Sequence, residues 1–387
     1  MVMKRYILLL IIFPLISINA KVKCGADKID EILNICKDKN IALIVNQTSV
    51  TENGTHLVDT LKARGANIKT IFAPEHGFRG NADAGESVKD GIDTKSGVKI
   101  VSLYGKNKKP TQEQLQGIDI LIFDIQDVGA RFYTYISTMY YAMQAATEHG
   151  KEFVVLDRPN PNDYVDGAVL DMKLKSFVGT LPLPIMHGLT VGELAQMIKG
   201  ENWGNTQNLV LNVIKVENWK HGEPYELKIK PSPNLPNAKS IMLYPSLCLF
   251  EGTTISVGRG TYSPFQIIGA PDKNLGDFTF TPKAIEGFDK NPMYKDRLCY
   301  GIDLRGEDTP CGFTLKYLIK MYKNSTNKEK FFNANNFFEK LAGDALLRSD
   351  IINGKSEEEI KARWKAQLDI YKKLRLIYLI YPDNRYL

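Results

Sequence analysis

From residue 41 onward, short uninterrupted apolar runs alternate with longer amphipathic stretches. Residues 41–45, 68–73, 98–104, 119–125, 152–156 and 209–216 read as strands. Between them the pattern predicts helices over 56–64 (stopped by Gly65), from Thr111, over 133–149 (ended by Gly150) and over 190–199. Thr190 is the N-cap of the last, with Glu193 in the capping-box position. Strands that are apolar throughout, rather than alternately, are buried on both faces. In a chain that alternates strand and helix, that means a parallel sheet covered by helices on each side. The expected fold class is α/β: a Rossmann-like, doubly wound, mostly parallel sheet.

Polar and charged residues gather where these strands end. Asn46-Gln47-Thr48 follow the first, Pro74-Glu75-His76-Gly77-Phe78-Arg79-Gly80 the second, and Gln126-Asp127-Val128-Gly129-Ala130-Arg131 the fourth. Asp157-Arg158-Pro159-Asn160-Pro161 follow the fifth. Ligands of open parallel sheets bind outside the carboxyl ends of the strands, so these clusters locate a candidate site.

Past about residue 225 the pattern changes. The proline-rich segment 231–236 reads as a loop or linker. Short aromatic-rich strands, tight turns and a lysine-rich helical tail (331–341 and 357–374) follow it. Residues 226–387 are therefore expected to form a smaller α+β domain beside a Rossmann-like domain over 21–225. The 387-residue length suits two domains.

Residues 1–20 have a different pattern. Lys4 and Arg5 precede an apolar run from Tyr6 to Ile16, and small residues lead to Ala20. That is the layout of a secretory signal, and the run is shorter than the roughly 20 residues a membrane span needs. The expected location is periplasmic or secreted, with no stable membrane span. Without Lys4 and Arg5 the chain carries 48 basic and 44 acidic residues. These are spread without a basic block, which argues against nucleic acid as a partner. Five cysteines lack CxxC spacing, so a zinc cluster is not expected. Export permits disulfides, with Cys24–Cys36 and Cys299–Cys311 as possible pairs.

The richest cluster places Glu75, His76 and Arg79 on irregular backbone forced by Pro74 and two glycines. Partial burial would fit Glu75 to act as a general acid. Glu86 lies nearby in sequence, and paired carboxylates are the usual machinery for hydrolysing a glycosidic bond. Asp127 competes with Glu86 as the second carboxylate. Arg131 stands near a helix start, where it could clamp an anion, and Tyr133 could stack on a sugar ring. Asn46 lies in the crevice, Asn160 can bond hydroxyls, and His187 precedes a helix N-terminus. Glu251 and Arg259, on glycine turns of the second domain, could reach the substrate from the opposite wall. An amidase or esterase using His76 or His187 with a hydroxyl nucleophile is a competing reading. A muropeptide-binding module without turnover is another.

Taken together, the blocks NQT (46–48), FAPEHGFRG (72–80), DIQDVGARFYTYI (124–136), LDRPNP (156–161), HGLTVGELA (187–195), SPNLP (232–236), LFEGT (249–253) and GRGT (258–261) resemble the bacterial DUF1343 family. Its members include exo-β-N-acetylmuramidases of the NamZ type. The resemblance implies a Rossmann-like catalytic domain with an auxiliary domain. It also implies release of N-acetylmuramic acid from peptidoglycan fragments, with neither nucleotide nor metal. Carried over by position, Glu75 is the first catalytic candidate, with Glu86 or Asp127 as the second carboxylate. His76, Arg79, Arg131 and Asn160 would shape the substrate site. The chain departs from the expected pattern at Val257, where an acidic residue is expected before GRGT.

Overall fold

The computed structural model describes residues 20–79, 90–308 and 312–385. The expected leader up to residue 19, the candidate Glu86, and Cys311 lie outside that range. At the centre is a seven-stranded sheet. Its strands are β1 (Asn40–Val45), β2 (Asn67–Ala73), β3 (Gly91–Ile92), β4 (Lys99–Ser102), β5 (Ile120–Asp124), β6 (Glu152–Leu156) and, after a separate hairpin of β7 (Val165–Asp166) and β8 (Met186–His187), β9 (Leu211–Ile214). The spatial order is β3-β4-β2-β1-β5-β6-β9, and only β3 runs antiparallel to its neighbour. Counted in chain order, the parallel strands are arranged 3-2-1-4-5-6, the Rossmann order, which reverses direction between β1 and β5.

Side-chain alternation explains the two covered faces. Ile41, Leu43 and Val45 of β1, with Ile120 and Ile122 of β5, join the core that holds Ile32 of α1 (Ile29–Ile35) and Leu57, Val58 and Leu61 of α2 (Leu57–Ala63). Ala42 and Ile44, with Leu121 and Phe123, point to the opposite face. There they meet α3 (Tyr135–Glu148) and α4 (Val191–Gly200). The capping box of Thr190 and Glu193 is formed as expected. The helix expected from Thr111 is not. Thr111 does accept from Gln114 N–H, and one turn closes, but Gly117 turns the backbone to positive φ and stops it.

The C-terminal part begins with α5 (Ala238–Leu247), which the sequence pattern did not reveal because Pro245 interrupts it. A proline has no N–H for the carbonyl four residues earlier. That carbonyl, Ile241 O, instead accepts from Asn162 Nδ2 at 2.8 Å, and the same amide donates to Val128 O. The broken helical bond thus becomes a tie between the two parts of the chain. A 3₁₀ turn over Cys248–Gly252 follows. Next comes an antiparallel sheet of β10 (Ile267–Ala270), β11 (Phe278–Phe280) and β12 (Cys299–Asp303), in the order β10-β12-β11. Four helices complete it: α6 (Lys316–Asn324), α7 (Phe337–Ala342), α8 (Leu347–Ile352) and α9 (Glu357–Ile377). One continuous apolar core includes residues of both parts, so they pack as a single body.

Two buried charges hold this packing. Arg131, expected in the site, is fully buried. It donates to Ala168 O and Leu183 O of the first part and to Leu341 O in α7, each at 2.8 Å. Burial lowers its pKa to about 9. The expected anion clamp is therefore corrected: the guanidinium is engaged by backbone carbonyls and is not presented to a ligand. His221 is the second. It bridges Asp163 (2.8 Å) and Glu193 (2.9 Å) beside Arg375 of α9. Burial pulls its pKa down, but the hydrogen bonds and charges of Asp163 and Glu193 outweigh that and raise it to about 9.

Two stability predictions follow from these contacts. At Gly343 (φ +69°) a Cβ would lie 2.4 Å from Arg131 Nη2. Gly343→Ala is expected to lower unfolding free energy by about 2 kcal/mol or more, read from denaturant titration. A raised histidine pKa stabilises fully below the unfolded value of 6.5 and loses that contribution as pH rises through about 9. Between those values the protein should lose stability on the order of 2 kcal/mol more than His221→Gln does. Parallel slopes for the two proteins would contradict this assignment.

Candidate active site

Glu75 stands on the turn that leaves β2. Gly77 N–H donates to Pro74 O at 3.0 Å, which closes the turn, and His76 sits at φ +68°. The half-buried carboxylate of Glu75 accepts from Thr134 Oγ1 at 2.8 Å, and its backbone carbonyl accepts from the Tyr135 hydroxyl at 3.4 Å. The Tyr104 hydroxyl also pairs with the Glu75 carboxylate. Burial and that negative neighbour push the Tyr104 phenol up, so it remains a donor. The chain after β5 and the end of β4 therefore hold the acid in place from two sides.

Glu75 and His76 line a cleft of about 290 Å³ with Tyr104, Tyr133, Phe177, Asn234 and, from the C-terminal part, Tyr244, Glu251, Arg259 and Phe265. That is near the lower end for small-ligand sites, about 300–1,000 Å³. On the far wall, Glu251 Oε1 accepts from Arg259 Nε (2.8 Å) and Nη2 (2.6 Å), and Oε2 faces the Cys248 thiol. Both residues are placed by glycines. A Cβ on Gly252 would collide with Phe338 of α7 at 2.5 Å. Gly258 and Gly260, both at positive φ, would collide with Ile267 and Pro292. The turn carrying Arg259 can be this tight only because its flanking residues lack side chains.

Backbone strain also collects here. Among the described residues nine non-glycine residues have positive φ, and six are Asn or Asp, which with His adopt it most readily. Of the other three, His76 and Phe265 both line the cleft. Strain of this kind costs on the order of 1–3 kcal/mol and persists only where the surrounding packing holds it.

Several expected site residues lie elsewhere. Tyr133 lines the cleft, but its hydroxyl donates to Pro231 O (2.7 Å). Asn46 is buried at the β1 tip beside the Tyr135 hydroxyl. Its Oδ1 accepts from Thr48, which in turn accepts from Gln126 N–H. These bonds stitch β1 to β5 at the switch point. Asp127 is buried outside the cleft lining. Its Oδ2 accepts from Gly129 N–H (2.7 Å) and from His187 Nε2 (3.2 Å), while Oδ1 has no partner among the described residues. His187 is fully buried, with Nδ1 accepting from Leu189 N–H, so it supports Asp127 and is not offered to a ligand. Asn160 bonds Leu189 O and Asn162 N–H, and stands where a Gly129 Cβ would be. Arg79 forms a two-pronged pair with Asp93 and lies over Phe78. It anchors the Glu75 turn to the sheet edge and does not line the cleft.

Sequence reasoning missed Tyr104, Thr134, Phe177, Asn234, Tyr244 and Phe265. Tyr104 and Asn234 were within reach of it. Tyr104 follows a strand tip, and Asn234 lies in a proline-rich segment taken for a linker that in fact lines the cleft. Asn234 Oδ1 is buried without a partner among the described residues. Among the same residues no three of His, Cys, Asp and Glu cluster as metal ligands would.

Comparison with known proteins gives a consistent picture. Residues 41–239 match the family "Exo-beta-N-acetylmuramidase NamZ, N-terminal", and residues 242–381 match its C-terminal counterpart. The chain is 39% identical, over 93% of its length and 92% of the relative's, to the peptidoglycan β-N-acetylmuramidase NamZ of Bacillus subtilis (strain 168). A DUF1343 family protein of Bacteroides fragilis NCTC 9343 has a similar solved structure, with TM-score 0.86 and 46% identity, covering 94% of this chain and all of that one. A second protein from the same strain gives 0.79 and 29%, covering 93% and 99%.

The thiols provide a direct check. Among the described residues Cys24, Cys36, Cys248 and Cys299 form no disulfide, so Cys24 and Cys36 are not paired with each other; the pair considered between Cys299 and Cys311 involves a residue outside the described range. Burial raises all four, with Cys36 and Cys299 at about 11. In the folded protein at pH 8, iodoacetamide should leave these four unmodified. In denaturant without reductant Cys24, Cys36 and Cys248 should react, as read by mass spectrometry.

Proposed function

The chain belongs to the exo-β-N-acetylmuramidase NamZ family, and on that premise we propose that it releases N-acetylmuramic acid from the non-reducing ends of peptidoglycan fragments. The carrying observation is the placement of Glu75. Its carboxylate stands on a strained turn inside a cleft walled by both parts of the chain, within reach of two hydroxyl donors, Thr134 and Tyr104. In this reading Glu75 protonates the leaving glycosidic oxygen while positive charge develops on the sugar ring. Glu251 is the other carboxylate lining the cleft among the described residues, where it is paired with Arg259. Glu86 remains a candidate for the second carboxylate. Asp127, buried and bonded to Gly129 N–H and His187, takes the part of a positioning residue. Tyr133, Phe177 and Tyr244 offer aromatic surface to the sugar faces.

Burial of His187, with both ring nitrogens engaged, counts against a histidine-activated hydroxyl nucleophile at that position. The leader-like residues 1–20 accord with a substrate outside the cytoplasm, and we include export to the periplasm or beyond in the proposal.

Glu75→Gln should lower release of N-acetylmuramic acid from an N-acetylmuramyl-N-acetylglucosamine disaccharide by at least about 100-fold while leaving the melting temperature near wild type. Thr134→Val, which removes one donor to that carboxylate, should cost about 10-fold. Near wild-type turnover by Glu75→Gln, measured by mass analysis of products, would remove Glu75 from the mechanism.

A further inference from the structure

N-acetylmuramic acid differs from N-acetylglucosamine by a lactyl ether that ends in a carboxylate. A cleft whose far wall carries the Glu251 carboxylate repels such an anion unless a cation offsets it. The sequence offered three arginines for that task. Arg131 is engaged by three carbonyls, and Arg79 is paired with Asp93 beyond the cleft. Among the described residues that line the cleft, Arg259 is the one arginine, and no lysine joins it.

Its setting suits recognition of an anion. Glu251 binds the Nε and Nη2 edge through a single oxygen, which fixes the plane of the guanidinium. Nη1 makes no hydrogen bond among the described residues, and 22% of the side chain is exposed. The ring of Phe265 lies 5.3 Å from the guanidinium carbon and steadies it. Gly258 and Gly260 leave the turn no room to relax. A fixed guanidinium with an unengaged N–H group can discriminate a carboxylate far better than a mobile lysine could.

Resting on the muramidase reading above, we propose that Arg259 is the specificity-determining residue, pairing with the lactyl carboxylate of the sugar and held in register by Glu251. The test is a cycle of variants against substrates. The kcat/KM ratio for the 4-nitrophenyl β-glycosides of N-acetylmuramic acid and N-acetylglucosamine is measured for wild type, Arg259→Met and Arg259→Lys. The ratio should fall by about 10- to 100-fold in Arg259→Met and recover in part in Arg259→Lys. Methyl esterification of the lactyl group should cost wild type a similar factor and cost Arg259→Met almost nothing. This arm changes the substrate and does not depend on how well the variant folds. An unchanged ratio in Arg259→Met, or an ester cleaved by wild type as fast as the acid, overturns the proposal.

Calorimetric binding of free N-acetylmuramic acid separates this from failure of the muramidase reading. If wild type cleaves neither glycoside, that reading falls. Tighter binding of N-acetylmuramic acid than of N-acetylglucosamine, lost in Arg259→Met, would still support the role of Arg259, and equal binding of the two sugars would sink it.

Discussion

A single desolvated guanidinium governs how the two parts of this chain meet. Taking a charge out of water costs several kcal/mol unless every donor finds a partner. Arg131 meets most of that demand by gathering three carbonyls, two from the sheet domain and one from the last turn of α7. Few arrangements satisfy it, so α7 has little freedom to slide. Because Phe338 of α7 presses on the backbone at Gly252, the position of α7 sets that of Glu251, and Glu251 sets that of Arg259. The far wall of the cleft is therefore located by a residue that never touches it.

The near wall depends on similar ties. Arg79 and Asp93 hold the Glu75 turn against the sheet edge, and Thr134, just ahead of α3, meets its carboxylate. Burial alone would raise Asp93, but hydrogen bonds from Arg79 and Ser96 bring it down to about 2, so the pair stays ionised across ordinary pH. Farther from the site, Asn162 fills the hydrogen-bonding gap left by Pro245, and His221 joins the N-terminal loops to α9. Each tie uses a polar group that would be costly to leave unmatched in the interior, so each has essentially one satisfactory geometry.

The cleft lies over the tips of β2 and β5, on either side of β1. This accords with the general rule that ligands of open α/β sheets bind where the strand order reverses. The reversal point itself is sealed, since Asn46, Thr48, Ser49 and Gln126 bond one another across the β1 and β5 tips. The strand tips thus divide their work. Some close the end of the sheet, and others carry the groups that face the cleft.

Backbone-scale features were legible in the sequence because they depend on local periodicity and on burial of strands. The parallel sheet, the capping box of Thr190 and the place of Glu75 on a turn at a strand end all follow from patterns a few residues long. Glu251 and Arg259 were also legible, as charged residues on glycine turns. What the sequence could not reveal was the direction in which equally charged side chains turn. Arg79, Arg131 and Arg259 look alike as residues, yet only the last reaches the cleft. The choice depends on which distant carbonyls and carboxylates the folded chain brings within 3 Å. That proximity is created by packing between residues as far as 210 positions apart, and only the tertiary structure decides it.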